Sequence, residues 1–171
     1  MLLIALAIVL STEAPAPNVT VREERGVYSV SARFVVPQAP PVALEVLTDY
    51  EAIPRFLPDV KTSIVRERTA DRLVVEQEAV ARMMMFSKRV HLVLEITQES
   101  GTIRFRDRCG DSFVKYEGTW RLVGRQDGTE IHYTLTAQPA FDVPEFILKR
   151  LLKRDAGRMI EHLAREMASR H

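Results

Sequence analysis

Apolar and polar side chains alternate along the middle of the chain, which is typical of strands with one buried and one wet face. The alternation is clearest at 90–97, where every second residue from Val90 to Ile96 is apolar, and at 130–137. Residues 19–36 predict a first strand or a hairpin, and the further predicted strands are 60–68, 72–81, 89–97, 102–108, 114–123 and 129–138. Turn signals separate them, and no crossover helix fits between them. We therefore predict an antiparallel sheet of about seven strands.

Helical periodicity appears before and after this run of strands. Pro40 and Pro41 predict the start of two short helices after the first strand, because proline suits a first helical turn. The long helix is predicted from Pro144 to about 169, with an apolar stripe at Leu148, Leu151, Leu152, Met159, Ile160, Leu163 and Met167. Strands followed by one long helix predict an α+β fold, with the helix packed on one face of the sheet. We interpret residues 19–170 as a single domain.

The first ten residues are apolar, and an Ala14-x-Ala16 pattern follows them. This length suits a signal peptide and falls short of the ~20 residues of a membrane span. Residues 1–16 are therefore predicted to be a signal peptide or hydrophobic leader, and the protein to be exported or periplasmic. A retained membrane anchor, or a cytoplasmic protein whose start codon is misplaced, stays open.

Composition excludes several classes of function. Hydrophobic residues make up 46% of the chain and charged residues 27%, as in ordinary globular domains, and the net charge of +1 gives no global attraction to nucleic acid. Cys109 is the single cysteine, so no intrachain disulfide is possible. Phosphate-binding and nucleophile motifs are missing, and the four histidines share no metal-ligand spacing with one another or with Cys109. We predict neither a cofactor nor a bound metal.

Four segments carry a family resemblance: 46–59 (VLTDYEAIPRFLPD), 116–122 (YEGTWRL), 127–130 (DGTE) and 139–144 (PAFDVP). They resemble the START-like or helix-grip superfamily (SRPBCC), and within it the polyketide cyclase/dehydrase and coenzyme Q-binding (Coq10-like) group. The resemblance implies a seven-stranded sheet wrapped around the C-terminal helix, with a ligand cavity between them. Members include lipid and quinone carriers as well as cyclases, so the fold does not settle the function.

On such a fold the inward face of the sheet and the stripe of the long helix would line the cavity. The predicted ligand-binding residues are Val75, Gln77, Met84, Phe105, Tyr116, Trp120, Tyr133, Leu152, Met159 and Ile160. Gln77 would need a partner for its amide, either neighbouring backbone or a ligand. No catalytic residue is assigned, although a buried Asp107 is weighed as a general acid. Gly157 would mark either room for a ligand or the sheet, or an unimportant surface position.

A run of large apolar residues lies between two predicted strands, at Met83, Met84, Met85 and Phe86. It predicts either a cavity lid or membrane-touching loop, or a buried extension of the strands. Phe141 and Phe146 would complete the mouth. The basic side chains of the last helix are a solvated face or a contact for anionic headgroups; they are Lys149, Arg150, Lys153, Arg154 and Arg158.

Three functions follow from these observations. The first is the binding or carriage of a hydrophobic small molecule, such as a lipid, a quinone or a polyketide-like compound, without catalysis. The second is an enzyme of the polyketide cyclase/dehydrase type, which would need ionisable groups inside the cavity. The third is a protein- or membrane-docking module with a solid core.

Overall fold

The computed structural model describes residues 17–83 and 85–170. The predicted leader at 1–16 and Met84 lie outside the described residues. Eight strands form one curved antiparallel sheet: β1 (Asn18–Glu24), β2 (Val27–Val36), β3 (Val60–Arg68), β4 (Leu73–Met83), β5 (Phe86–Glu99), β6 (Thr102–Asp107), β7 (Phe113–Arg125) and β8 (Gly128–Pro139).

The sheet has one strand more than the predicted number of about seven. Residues 19–36 form a complete hairpin, whose turn is made by Arg25 and Gly26 at φ values of 54° and 79°. The left-handed turn suits glycine and lets β1 fold back onto β2. The short helices consequently follow the second strand rather than the first.

The strands follow one another along the sheet except at one place. The order is β1-β2-β8-β7-β6-β5-β4-β3, so β2 pairs with β8 although the chain between them forms five other strands. Tyr28 pairs with Ala137, and Phe34 pairs with Ile131. This pairing joins the first hairpin to the last strand.

Within the described residues the helices are α1 (Pro40–Thr48), α2 (Ile53–Phe56) and α3 (Glu145–Ser169), with a 3-10 helix (Tyr50–Ala52) between the first two. Pro40 and Pro41 lie in the first turn of α1, as predicted, and Pro54 lies in the first turn of α2. The helix α3 buries Leu148, Ala156, Ile160, Leu163 and Met167 and packs mainly against β1, β2 and α1. The α+β helix-grip fold is confirmed.

The C-terminal end of α3 is tethered to α1 by a network of charged groups. The guanidinium of Arg170 donates to Asp49 at 2.8 Å, to Glu45 at 3.0 Å and to Glu166 at 3.0 Å. Its side chain is only 19% exposed. The network therefore fixes one end of α3, while the middle of the helix faces the sheet across a space described below.

Of the helices that the structure describes, none combines the length and apolar character required to cross a membrane.

Candidate functional site

A cavity of about 320 Å³ lies between the concave face of the sheet and α3. Its lining on α3 extends from Leu148 to Leu163, which corresponds to roughly 22 Å of helix at 1.5 Å per residue. The cavity exists because α3 packs closely on β1 and β2 but not on the strands at the other side of the curved sheet. The core is hollow, which argues against the solid core of the third function above.

Seven of the ten predicted ligand-binding residues lie on the cavity wall: Gln77, Phe105, Tyr116, Trp120, Tyr133, Leu152 and Met159. Their assignment to ligand binding stays a prediction. Val75 and Ile160, which are 0% and 2% exposed, are not part of this wall and pack into the surrounding core. The prediction placed both residues on the inward face of their elements, but at these two positions that face packs against other core side chains and does not border the cavity. Met84 lies outside the described residues.

Aromatic rings form two groups on the wall. Trp120 and Tyr133 occupy paired positions of β7 and β8, with ring centroids 4.3 Å apart. The ring centroid of Tyr116 lies 4.9 Å from that of Phe113 and 6.0 Å from that of Phe105. Such rings give a ligand a large and rigid apolar surface, and the tyrosine and tryptophan polar atoms give it hydrogen-bonding options.

The phenols of this wall stay protonated at any physiological pH. Burial raises the pKa of Tyr116 to about 12, and burial raises the pKa of Tyr133 well above its ordinary value of 10.0. Both groups therefore act as hydroxyl donors or acceptors rather than as bases.

Gln77 faces the cavity from β4, and its amide has a partner on the neighbouring strand. Its Nε2 donates to Oγ of Ser63 at 3.0 Å, a side chain rather than the backbone group that was expected. Since this bond uses the amide nitrogen, the carbonyl oxygen of Gln77 is the end of the group that suits a ligand donor.

A polar rim, which the sequence prediction missed, interrupts the apolar wall where the cavity opens to solvent. It consists of Asp59, Asp155, Arg158 and His162, all of which line the cavity. Arg158 of α3 faces Asp59 of the α2–β3 connection with Nη2 and Oδ2 4.0 Å apart. The opening is therefore bordered on both sides by charge.

Desolvation is evident at this polar rim. Burial raises the pKa of the Asp155 carboxyl, and the nearby Asp59 carboxylate raises it further, against the lowering effect of Arg154 and Arg158. Burial also lowers the pKa of His162, as do Arg165 and Arg158. Asp155 could have been found from the sequence, because it stands four residues from both Leu151 and Met159 and so interrupts the apolar stripe.

Asp107, considered above as a general acid, is occupied in shaping a turn and is not part of the cavity wall. Its Oδ1 accepts the backbone N–H of Val93 at 2.8 Å and of Cys109 at 3.3 Å, and its Oδ2 accepts that of Gly110 at 3.0 Å. Gly157 is likewise no part of the wall, and a Cβ added there would meet open space. Gly157 is half-buried, and no part of the sheet lies within 4 Å of a Cβ added there.

The apolar run at 83–86 combines features of both of its predicted alternatives. Met83 and Phe86 form the last pair of the β4–β5 ladder, so the strands do extend into this run. Met85 and Phe86 are nevertheless 93% and 74% exposed, and Phe146 at the start of α3 is 73% exposed. Phe141 lines the cavity, with the ammonium group of Lys88 4.8 Å from the centre of its ring.

A curved antiparallel sheet, a long C-terminal helix and an apolar cavity between them define a START-like helix-grip protein. The chain belongs to the polyketide cyclase / dehydrase and lipid transport family, whose sequence model matches residues 36–164.

Solved structures of similar fold include proteins of more than one activity. A STAR-related lipid transfer protein from Xanthomonas axonopodis is 20% identical, with a TM-score of 0.76 over 92% of this chain and 97% of the other. The Zhui aromatase/cyclase from Streptomyces sp. R1128 is 13% identical, with a TM-score of 0.73 over 84% and 95% of the two chains. Human STARD10 is 13% identical, with a TM-score of 0.71 over 91% and 74%. At these identities the likeness shows the fold alone, and no curated protein matches the chain in sequence.

Proposed function

We propose that the protein binds and carries one hydrophobic small molecule with a polar end, of the lipid, quinone or polyketide-like class. The observation that carries this proposal is the cavity of about 320 Å³, whose wall is mostly apolar and aromatic, with Gln77 and the polar rim as its polar parts. Its volume lies in the range of about 300–1,000 Å³ that is usual for small-molecule sites. Membership of a family whose description includes lipid transport supports the same class of ligand.

The arrangement of the wall suggests how such a ligand would lie. An apolar body alongside Trp120 and Tyr133 would remove hydrocarbon from water, at about 25 cal/mol per Å² of apolar surface buried. A polar head would meet the polar rim, where Arg158 and His162 are able to donate and Asp155 is able to accept or donate. A quinone would in addition offer carbonyl oxygens to the buried hydroxyl of Tyr133.

The direct test compares what co-purifies with a cavity-blocked variant and a matched control. Ala79 lines the cavity from β4, whereas Ala70 is exposed in the β3–β4 turn. We expect native mass spectrometry and solvent extraction to find a hydrophobic molecule with the wild type and Ala70→Phe, and much less of it with Ala79→Phe. If all three proteins carry the same amount, or if none of them takes up fatty acids or quinones, the carrier function is wrong.

A cyclase or dehydrase activity is the second candidate, and Asp155 favours it. A carboxyl with a raised pKa at the edge of an apolar cavity is able to exchange protons with a bound polyketide, as a general acid does. Loss of turnover of an aromatic polyketide precursor in Asp155→Asn, with binding retained, would support this activity. Binding without turnover in the wild type would leave the carrier function.

We further infer that the protein collects its ligand at an anionic membrane. Met85 and Phe86 are exposed apolar side chains of the β4–β5 hairpin, which lies next to the cavity opening because Arg154 of α3 donates to the backbone carbonyl of Arg82. Phe146 is a further exposed apolar side chain at the start of α3. Basic residues flank them on α3: Lys149, Arg150, Lys153 and Arg154. Exposed apolar groups with lysine and arginine around them suit a surface of anionic lipid.

This membrane contact is tested by sedimentation with phosphatidylserine and phosphatidylcholine vesicles. We expect salt-sensitive binding to the anionic vesicles, which Phe86→Ser reduces severalfold. Val35→Ser is the matched control, because Val35 is 54% exposed on β2 and lies towards the opposite end of the sheet. Equal binding of both variants, or of both lipids, would contradict the inference. Export of the protein remains a proposal as well, which N-terminal sequencing of the mature protein would test.

A further inference from the structure

Three side chains able to bind a metal converge on the face of the sheet that is turned away from the cavity. His91 lies on β5, between Val90 and Leu92, which both line the cavity, so its side chain points to the opposite face. Cys109 and Asp111 lie in the connection between β6 and β7. The Nδ1 of His91 is 2.6 Å from Oδ2 of Asp111 and 3.9 Å from Sγ of Cys109, and the three ligand atoms all lie within 4.8 Å of one another.

The backbone brings these groups together without any help from a metal. Asp107 closes a tight turn by accepting the N–H groups of Cys109 and Gly110, and Gly110 has the left-handed φ of 71° that the turn requires. One residue beyond Asp111, Oγ of Ser112 accepts the backbone N–H of His91 at 2.9 Å. The β6–β7 connection is therefore held against β5 next to the histidine.

The imidazole of His91 is also oriented from its other side. Its Nε2 lies 2.9 Å from Oε1 of Glu76 on β4, and Oε2 of Glu76 accepts a bond from Nε of Arg66 at 2.5 Å. A carboxylate on the far nitrogen is the usual companion of a metal-bound histidine, because it fixes the ring and keeps the proton on that nitrogen. Nδ1 is then the nitrogen that faces Cys109 and Asp111.

We propose that His91, Cys109 and Asp111 bind a zinc ion, with the fourth coordination position left to water or to another ligand. One imidazole, one thiolate and one carboxylate are a donor set that suits zinc, and three protein ligands with an open position are a known arrangement. Ligand atoms around a tetrahedral zinc ion lie about 3.3–3.8 Å apart, as follows from bond lengths near 2.0–2.3 Å. The observed separations of 2.6 Å, 3.9 Å and up to 4.8 Å differ from these values by up to about 1.2 Å.

The charge around the site favours a cation. Carboxylates of Glu76, Asp107 and Asp111 surround it, and Arg66 offsets that of Glu76. The Oδ1 of Asp107 is 3.2 Å from the Cys109 sulfur, so the thiol keeps its proton while no cation is near. Binding of the metal releases two protons to solvent, the thiol proton of Cys109 and the Nδ1 proton that His91 donates to Asp111, and the thiolate–metal and imidazole–metal bonds form in their place.

Cobalt provides the test, because a thiolate bound to Co²⁺ gives a charge-transfer band in the near ultraviolet. Protein treated with a chelator and then titrated with Co²⁺ should develop this band at one equivalent, and Zn²⁺ should remove it. Cys109→Ala should abolish the band, and His91→Gln and Asp111→Asn should weaken the affinity at least tenfold. Glu76→Gln should weaken it by roughly 10–100-fold without removing the band, as expected of a residue that positions a ligand.

The control is His162→Gln, a histidine at the cavity opening, which should leave the titration unchanged. Zn²⁺ should also raise the melting temperature of the wild type but not that of Cys109→Ala. The proposal is overturned if Co²⁺ gives no thiolate band, or if His91→Gln binds as tightly as the wild type. Because the site lies on the opposite face from the cavity, neither result bears on ligand carriage.

Discussion

The indole of Trp120 and the phenol ring of Tyr133 lie tilted by 35° with their centroids 4.3 Å apart, on directly paired positions of β7 and β8. Both line the cavity, and Trp120 is the one tryptophan of the chain. Its fluorescence therefore reports on whatever enters the cavity. A quinone should quench the emission saturably, whereas a linear and unsaturable decrease would mean that the quinone does not enter.

Tyr133→Phe separates the hydroxyl group from the ring. The ring contact with Trp120 should persist, so the fluorescence assay remains usable. We expect the affinity for a short-chain quinone to fall by up to about tenfold, since a hydrogen bond contributes about 1 kcal/mol. The affinity for an alkylbenzene of similar size, which offers no acceptor, should not change. An equal loss for both ligands would show that the substitution disturbs the wall itself.

Asp155 should make the protein less stable as its carboxyl ionises. Because its folded-state pKa is raised above the ordinary 3.8, its contribution to stability is full below that value and is lost as the pH rises through the raised pKa. Asp155→Asn should therefore increase the free energy of unfolding relative to the wild type more at pH 7 than at pH 3, as measured by urea denaturation.

Glu130 provides the control of opposite sign. The pKa of its carboxyl is lowered below 4.5 by bonds to His132 and Arg125. The contribution of Glu130 to stability is present above pH 4.5 and is lost as the pH falls through the lowered pKa. Glu130→Gln should therefore destabilise the protein at pH 7 and have little effect in strong acid. The same pH trend for both variants would contradict the assignment of Asp155.

Substitution of two glycines by alanine should change the free energy of unfolding in opposite directions. A Cβ at Gly118 would lie 2.1 Å from the carbonyl oxygen of Thr134 and 2.6 Å from the Phe105 ring, so Gly118→Ala should lower the free energy of unfolding by about 1–3 kcal/mol or more. Gly157 is in α3 with open space around it, so Gly157→Ala should raise it by about 0.5–1 kcal/mol. Chemical denaturation measures both, and a destabilising Gly157→Ala would mean that this face of α3 packs against something.

Arg170 is expected to hold the end of α3 in place. Arg170→Ala removes the bonds to Asp49, Glu45 and Glu166. It should lower the free energy of unfolding by about 1 kcal/mol, which is the upper end of the range for ion pairs that solvent partly screens. Arg150→Ala, an exposed position of the same helix, is the matched control and should change the stability little. High salt should narrow the difference between the two variants, and an unchanged difference would indicate lost packing instead.

Local periodicity was enough to predict most of the fold. The alternation along β5 and β8 and the apolar stripe of α3 placed these elements within a few residues of their observed ends. The eighth strand was missed because 19–36 fitted one strand or two equally well, and the turn at Arg25 and Gly26 decides between them.

The site was predicted less completely than the fold. Sequence periodicity identifies the face on which Val75 and Ile160 lie, but whether a face is cavity wall or packed core depends on how far α3 stands off the sheet. His91 and Cys109 show the same limit, since their 3.9 Å separation results from two strands and a turn that no spacing along the chain reveals.

The pairing of β2 with β8 has a consequence for how the chain reaches this structure. Tyr28 finds its partner Ala137 only after about a hundred further residues have left the ribosome. Contacts of such long range are entropically expensive to form early and are associated with slow folding. The two strands therefore pair late, and for most of synthesis the apolar residues that will line the cavity are not buried by their native neighbours.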